Sequence, residues 1–396
     1  MDSSETANYP FVFVHGMFGW GSNEGINSHI PYWGATTGDL IAKMNKKGFE
    51  SYAASVGPIS GAWDQACELY AQLTATRVDY GAAHAKKHGH NRFGRAYYKP
   101  LLEGWSSERK IHLIGHSFGG NASRMLAHLL ANGAPEEVKE TGDETSPLFT
   151  GGHGDLVCSV TAICSPLNGT AAYEVVKKYH LIKPMRMAVY TYCRLLSKTV
   201  LNGKLFDFHL ERINFTKAAY KYKHESFRND LKKCERTIDD IAYDMTDPGA
   251  KLLNMNIDIA PDTYYFSYPF NAVRKDPKTG KLKPKDTDFL FLALTSSSML
   301  KNARLSHADA KLDYVENDGL VNVAYAKHPP NEPFKEYKVS EEPVPGIWHV
   351  MPTSIGDHGT AIGLFADEAK TVSFYLEMLG KLRALETAKR PQFALR

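Results

Sequence analysis

A serine flanked at two residues on either side by glycine, Gly115-His116-Ser117-Phe118-Gly119, follows the apolar run Ile111-His112-Leu113-Ile114 and precedes Asn121 to Ala127, which reads as a helix. A strand, a tight turn with a serine at its tip and a helix together present a hydroxyl as a nucleophile. The glycines have a steric reason, since bulky side chains there would meet the strand and the helix. A serine hydroxyl is a weak nucleophile until an imidazole takes its proton, and the imidazole needs a carboxylate to fix its tautomer and stabilise its charged form. The late histidines are His307, His328, His349 and His358. His358 sits in the loop Gly356-Asp357-His358-Gly359, between an apolar strand and the C-terminal helix, and is the expected base. His349 lies inside that strand, Ile347 to Met351, and is expected to be packed.

Asp309, Asp313, Asp318 and Asp357 all follow the serine in chain order. Asp318 is the expected acid, because Glu316-Asn317-Asp318-Gly319 forms a turn cluster between apolar segments. Asp357 adjoins the base, and adjacent residues seldom turn their side chains toward each other. The negative charge that develops in such chemistry needs backbone N–H donors. One is expected from Phe118, the residue after the nucleophile. The other is expected from Met17, in the loop His15-Gly16-Met17 that ends the first strand.

The elements that must hold these residues alternate. Strands are expected at Pro10–Val14, Ser51–Val56, Val157–Cys164 and Thr263–Tyr268. Helices are expected at Gly38–Lys47, Ala62–Thr74 and Ala366–Leu385, the last with Val372, Phe374, Tyr375, Met378, Leu379 and Leu382 as its core face. Alternation of this kind predicts an α/β fold, a mostly parallel central sheet with helices on both faces. With the chain order Ser, Asp, His it is the α/β-hydrolase arrangement. We expect one such domain over 1–396. The polar, histidine-rich stretch Val78 to Tyr98 reads as an excursion from the core. From Ala171 to about Phe215, apolar residues are interspersed with lysine and arginine. That segment reads as a core helix pair or as a lid, within a helical cap region at 171–240.

Several stretches resemble the thermoalkaliphilic, zinc-containing lipases of Bacillus and Geobacillus, with the staphylococcal lipases as cousins. They are His15 to Gly21, Tyr32-Trp33-Gly34, Val56 to Ser60, Trp63 to Glu68, Val78 to His84, Lys87 to His90, Ser146 to Phe149, Gly151 to His153, and Glu316 to Gly319. The resemblance is densest from Phe11 to Thr170 and thin between Ala171 and Asp240. It implies the triad Ser117, Asp318 and His358. It also implies a structural zinc held by an insertion at 60–100, completed near 244, through Asp64, His84, His90 and Asp244. Two imidazoles and two carboxylates fill a tetrahedral shell and leave no place for an activated water. Spacing alone leaves His88 and His90 open as the second imidazole, since His84 and His88 share a helical face. A cluster of surface histidines without metal is the other reading of these residues.

The sequence departs from that family in three places. The acidic calcium ligands expected after the catalytic histidine are absent from His358 to Ala366, so no calcium is expected there. Phe118 stands where the family has Gln. The lid region does not track the family.

Composition narrows the classes. The net charge of +3, without a basic tract, gives no reason to expect nucleic acid. No apolar run reaches the length of a membrane span. Met1 to Thr6 are polar and acidic, unlike a signal peptide. Lipases of this kind are normally secreted, so a leader absent from this sequence is expected, with a cytoplasmic protein as the alternative. Five cysteines without a CxxC pair read as buried free thiols. The expected function is a carboxylic ester hydrolase of triacylglycerol lipase type acting on ester or lipid at a lipid–water interface. The alternatives are a lidded esterase for short-chain or polymeric esters, a metallohydrolase with zinc-activated water, and a non-catalytic lipid-binding protein on the same scaffold.

Overall fold

The structure is a computed structural model that describes residues 8–180, 184–185, 188–189, 191–192, 205–213, 239–287, 290–306 and 315–387. Seven parallel strands form its central sheet: β1 (Phe11–Val14), β2 (Ser51–Ala54), β3 (Ile111–His116), β4 (Val157–Ile163), β5 (Tyr264–Tyr268), β6 (Phe334–Glu336) and β7 (Trp348–Val350). Their order across the sheet is β6-β7-β5-β4-β3-β1-β2, and every neighbouring pair is parallel. The central strands β3 and β4 are buried along their whole length. This is why they read as near-continuous apolar runs rather than as alternating ones.

Side chains still alternate across the sheet, and the alternation builds two cores. Val12 and Val14 of β1 join one core with Leu113, Val160 and Tyr265. Its helical side comes from Leu69 and Leu73 of α1 (Ala62–Thr74) and Leu126 and Leu130 of α2 (Phe118–Asn132). Phe11 and Phe13 join the opposite core with Ile114 and Phe266. There the sheet is covered by Leu40 and Met44 of helix Leu40–Lys46 and by Tyr375, Met378, Leu379 and Leu382 of helix Glu368–Ala384. The expected helices and strands therefore form with ends shifted by a residue or two.

The histidine-rich excursion is a small unit of its own. Strands Arg77–Asp79 and Phe93–Ala96 pair antiparallel, and helix Ala82–His88 lies between them. Val78 and Tyr80 are buried in the core beneath it. Three cysteines, Cys67, Cys158 and Cys164, are buried and form no disulfide; Cys193 and Cys234 lie outside the described residues. So do 193–204 and 214–238, which take in much of the segment 171–240 expected to form a cap. Of that region, Val189, Tyr192, Phe206, Leu210 and Ile213 pack around the buried Phe208, together with Phe18 from the loop after β1. No helix among the described residues is long and apolar enough to cross a membrane.

Candidate functional site

Ser117 stands between β3 and α2 with φ 54° and ψ −130°, a backbone conformation that a side chain seldom adopts and that marks a constrained site. Close approach explains its glycines. A Cβ at Gly115 would lie 2.3 Å from the backbone of Gly119, and one at Gly119 would lie 2.1 Å from the Val14 carbonyl oxygen. Gly16 is packed equally hard, since its Cβ would fall 2.6 Å from that of Ser117. The loop after β1 is thus pressed against Ser117. In that loop Phe18 N–H donates to Pro58 and Gly19 N–H to Gly16. Among the described residues, no acceptor takes the N–H of Met17 or Phe118.

His358 Nδ1 lies 2.8 Å from Asp318 Oδ2. The other carboxylate oxygen of Asp318 accepts the N–H groups of Leu320 and Val321 at 2.9 and 2.7 Å. His358 N–H also donates to the Asp318 carbonyl at 2.8 Å. Ser117, His358 and Asp318 are 8%, 6% and 1% exposed, so the three are covered in this state. Asp357 does not face His358; its carboxylate accepts from Thr360. His349 packs on Phe266 and bonds to Val344, and His328 stacks on Phe334. His307, Asp309 and Asp313 lie outside the described residues.

Sequence reasoning missed a buried hydrogen-bonded chain that ends at His358. Gly16 N–H donates to the Tyr32 hydroxyl at 3.0 Å, and that hydroxyl lies 2.6 Å from His116 Nδ1. His116 Nε2 lies 3.0 Å from the His358 carbonyl oxygen. These partners assign the tautomer: Tyr32 donates to Nδ1, and Nε2–H donates to the carbonyl. Burial, and then the neighbouring His358, push His116 well below the usual histidine range. It therefore stays neutral and can accept and donate at once. The signal was visible, since His116 is the residue before the serine, but nothing in a linear motif says where its ring points.

A second cluster lies at the excursion. One ligand atom each from Asp64, His84, His90 and Asp239 come within 4.8 Å of one another. Asp64 is on α1. His84 is on the helix Ala82–His88, where it stacks on Trp63 at 4.9 Å between ring centroids. Gly89 ends that helix with φ 73°, which turns the chain so that His90 reaches the cluster from off the helical face. His88 does not join it; its ring packs on His84. The structure brings Asp239, and not the expected Asp244, into this cluster. The carboxylate of Asp244 instead accepts Ala62 N–H at 2.9 Å, at the N-terminus of α1. Burial, opposed by that bond and helped by Asp239, Asp240 and Asp64, pushes Asp244 up to about 7.

The donor set fits a zinc ion. His84 Nε2 and His90 Nε2 are buried without a hydrogen-bond partner among the described residues. His90 Nδ1 is 2.9 Å from the Asn91 carbonyl oxygen, which fixes its proton there and leaves Nε2 as a lone pair. Orphaned imidazole nitrogens aimed at two carboxylates make a site for a borderline-soft divalent cation.

Residues 7–381 match the family model described as "Lipase-like, C-terminal domain". Lipase 2 of Staphylococcus aureus is 33% identical over 397 residues, covering 96% of this chain and 55% of that protein. The chain spans about half the length of the curated relatives it matches. Among solved structures, the Staphylococcus hyicus lipase superposes with a TM-score of 0.81 at 29% identity, covering 98% of this chain and 99% of the other. EstA from Clostridium botulinum gives 0.77 at 33%, covering 96% and 88%. Lipase 1 from Pelosinus fermentans gives 0.73 at 30%, covering 97% and 100%.

Proposed function

The chain belongs to the family of lipase-like C-terminal domains, and on that premise we propose that it is a serine carboxylic ester hydrolase of the triacylglycerol lipase type. The observation that carries the reading is the 2.8 Å contact between His358 and Asp318, in a fold that sets Ser117 on a strained strand-to-helix turn. In this reading His358 takes the Ser117 proton as Oγ attacks the ester carbonyl. Asp318, held by three N–H donors, orients the imidazole and stabilises its charged form. The N–H groups of Met17 and Phe118 receive the oxyanion. His358 returns the proton to the leaving alcohol, then activates the water that releases the fatty acid.

Two further observations support an interfacial substrate. Val189, Tyr192 and Phe208 pack with Phe18 on the loop after β1, which supports a cap region over 171–240 that docks beside that loop and moves to admit substrate. Leu290 and Leu294 are 72% and 62% exposed on the helix Leu290–Ser306, whose inner side meets the loop that carries Asp318. The region 60–100, completed by Asp239, serves in this reading as a zinc-binding insertion. Asp64, His84, His90 and Asp239 would hold the ion, and four protein ligands give it a structural role. We place the enzyme outside the cell on the family resemblance, and fractionation of its native culture checks that.

The test is hydrolysis of matched short-chain and long-chain acyl esters below and above their solubility limit, with Ser117→Ala as blank. A rate that jumps when the substrate forms an interface, and favours long chains, is the expected result. Saturation on dissolved short esters without a jump makes the protein an esterase. No turnover above the Ser117→Ala blank overturns the enzymatic reading.

A further inference from the structure

The metal cluster contains a residue that no zinc ligand set calls for. Arg212 Nη1 lies 2.7 Å from Asp64 Oδ2 and 2.7 Å from Asp239 Oδ2, in a buried setting. The same guanidinium reaches the Asp239 carbonyl oxygen at 3.3 Å. It bridges both carboxylates of the cluster through their Oδ2 atoms; His84 Nε2 faces Asp64 Oδ1 at 3.4 Å and Asp239 Oδ1 at 3.5 Å, and His90 Nε2 shares Asp239 Oδ2 with the guanidinium at 3.2 Å. Arg212 is delivered by a segment remote from the excursion, and it is held there by the residue after His90. Asn91 N–H donates to the Arg212 carbonyl at 2.7 Å, and Asn91 Nδ2 donates to the Glu211 carbonyl at 3.1 Å.

We infer that Arg212 is a built-in counter-cation for this cluster: it holds one oxygen of each carboxylate, competes with the metal for them, and neutralises part of their charge when no metal is bound. The inference rests on reading the cluster as a zinc site. Its consequences follow from charge. Two buried carboxylates without a cation are strongly destabilising, and a fixed guanidinium relieves this. With a divalent ion present the same guanidinium repels it. Arg212 therefore weakens zinc binding and lessens the dependence of the fold on zinc. A ligand shell without such a residue would behave oppositely, binding tightly and failing when stripped.

The experiment compares wild type with Arg212→Met, which keeps length and removes charge, and Arg212→Lys, which keeps charge. All three are purified with zinc. Zinc stoichiometry, zinc affinity by competition with a chelating dye, and melting temperature with and without chelator are read. Wild type is expected to hold one zinc and to stay folded at 25 °C when stripped. Arg212→Met is expected to bind zinc about tenfold or more tightly, and to lose at least twice as much melting temperature on stripping as wild type does. Its loaded form should melt close to loaded wild type. Arg212→Lys should keep the wild-type affinity within about threefold. Equal or weaker zinc binding by Arg212→Met overturns the counter-cation, and so does an equal loss of melting temperature in its loaded and stripped forms. Unfolding of wild type at 25 °C on stripping also overturns it, whether or not Arg212→Met can be made. A wild type that binds no zinc overturns the zinc reading as well, and so separates the two failures.

Discussion

Asp318 shows how a single side chain can be over-determined. Its Oδ1 takes two backbone N–H groups, its Oδ2 faces His358 Nδ1, and its main-chain carbonyl receives the His358 N–H. Asp318→Asn keeps the shape but offers His358 an amide in place of a carboxylate, so the wrong tautomer is favoured. Its kcat should fall by about 10⁴-fold with little change in melting temperature. Loss of less than tenfold would mean another carboxylate serves the base. Ser117 and His358 could be chosen from sequence because each stands in a turn after a short apolar strand, and Asp318 because Glu316 to Gly319 form a turn cluster. Asp239 was not legible. It lies in the acidic run Asp239-Asp240 through Asp244, and only the fold decides which carboxylate reaches His84. Asp240 caps the helix Ile241–Asp244 and Asp244 bonds Ala62, so Asp239, the residue before the cap, is the one that joins the cluster.

At the scale of elements, the described stretch 205–213 acts as a strap between the loop after β1, α1 and the histidine excursion. Leu205 accepts Ile26 N–H, and Arg95 pairs with Asp207 and Glu211. At its centre His209 is buried between Glu68, at 2.6 Å, and Glu24, at 3.5 Å. Burial and the nearby Arg95 oppose a charge there, but the two carboxylates outweigh them and push His209 up to about 10. A raised histidine adds stability that is fully present below its unfolded value of 6.5 and is lost as pH rises through the folded value. The urea midpoint of wild type should therefore fall between about pH 6.5 and 10, and His209→Gln should flatten that limb. Parallel slopes for the two proteins would contradict the strap. Nothing in the sequence announced it. His209 sits in a thinly matched region, and its partners are far from it along the chain.

For the molecule as a whole, the sheet was readable because each buried strand is a short apolar run bounded by turn residues. The two cores follow from the alternation of Phe11 and Phe13 against Val12 and Val14. The excursion was recognised by its composition, yet its function depends on packing that composition does not report. Four side chains from three separate stretches converge only after α1, the helix Ala82–His88 and residues near 239 have packed. A structural ion there gives a global prediction. Chelation should lower the melting temperature, and activity should decline only as unfolding sets in. Immediate loss of turnover at temperatures where the circular dichroism is unchanged would favour metal-assisted hydrolysis instead. The segment expected to form a cap reads in sequence as apolar residues interspersed with basic ones, and its residues at 193–204 and 214–238 lie outside the described part.

The central claim is that Ser117 forms the covalent bond. The most direct measurement is labelling with an alkyl phosphonate ester, followed by intact mass and peptide mapping. The account predicts one adduct per chain, located on Ser117, with activity lost in step and no adduct on Ser117→Ala. Full hydrolytic activity in an unlabelled protein, or a stoichiometric adduct at another residue, would contradict it.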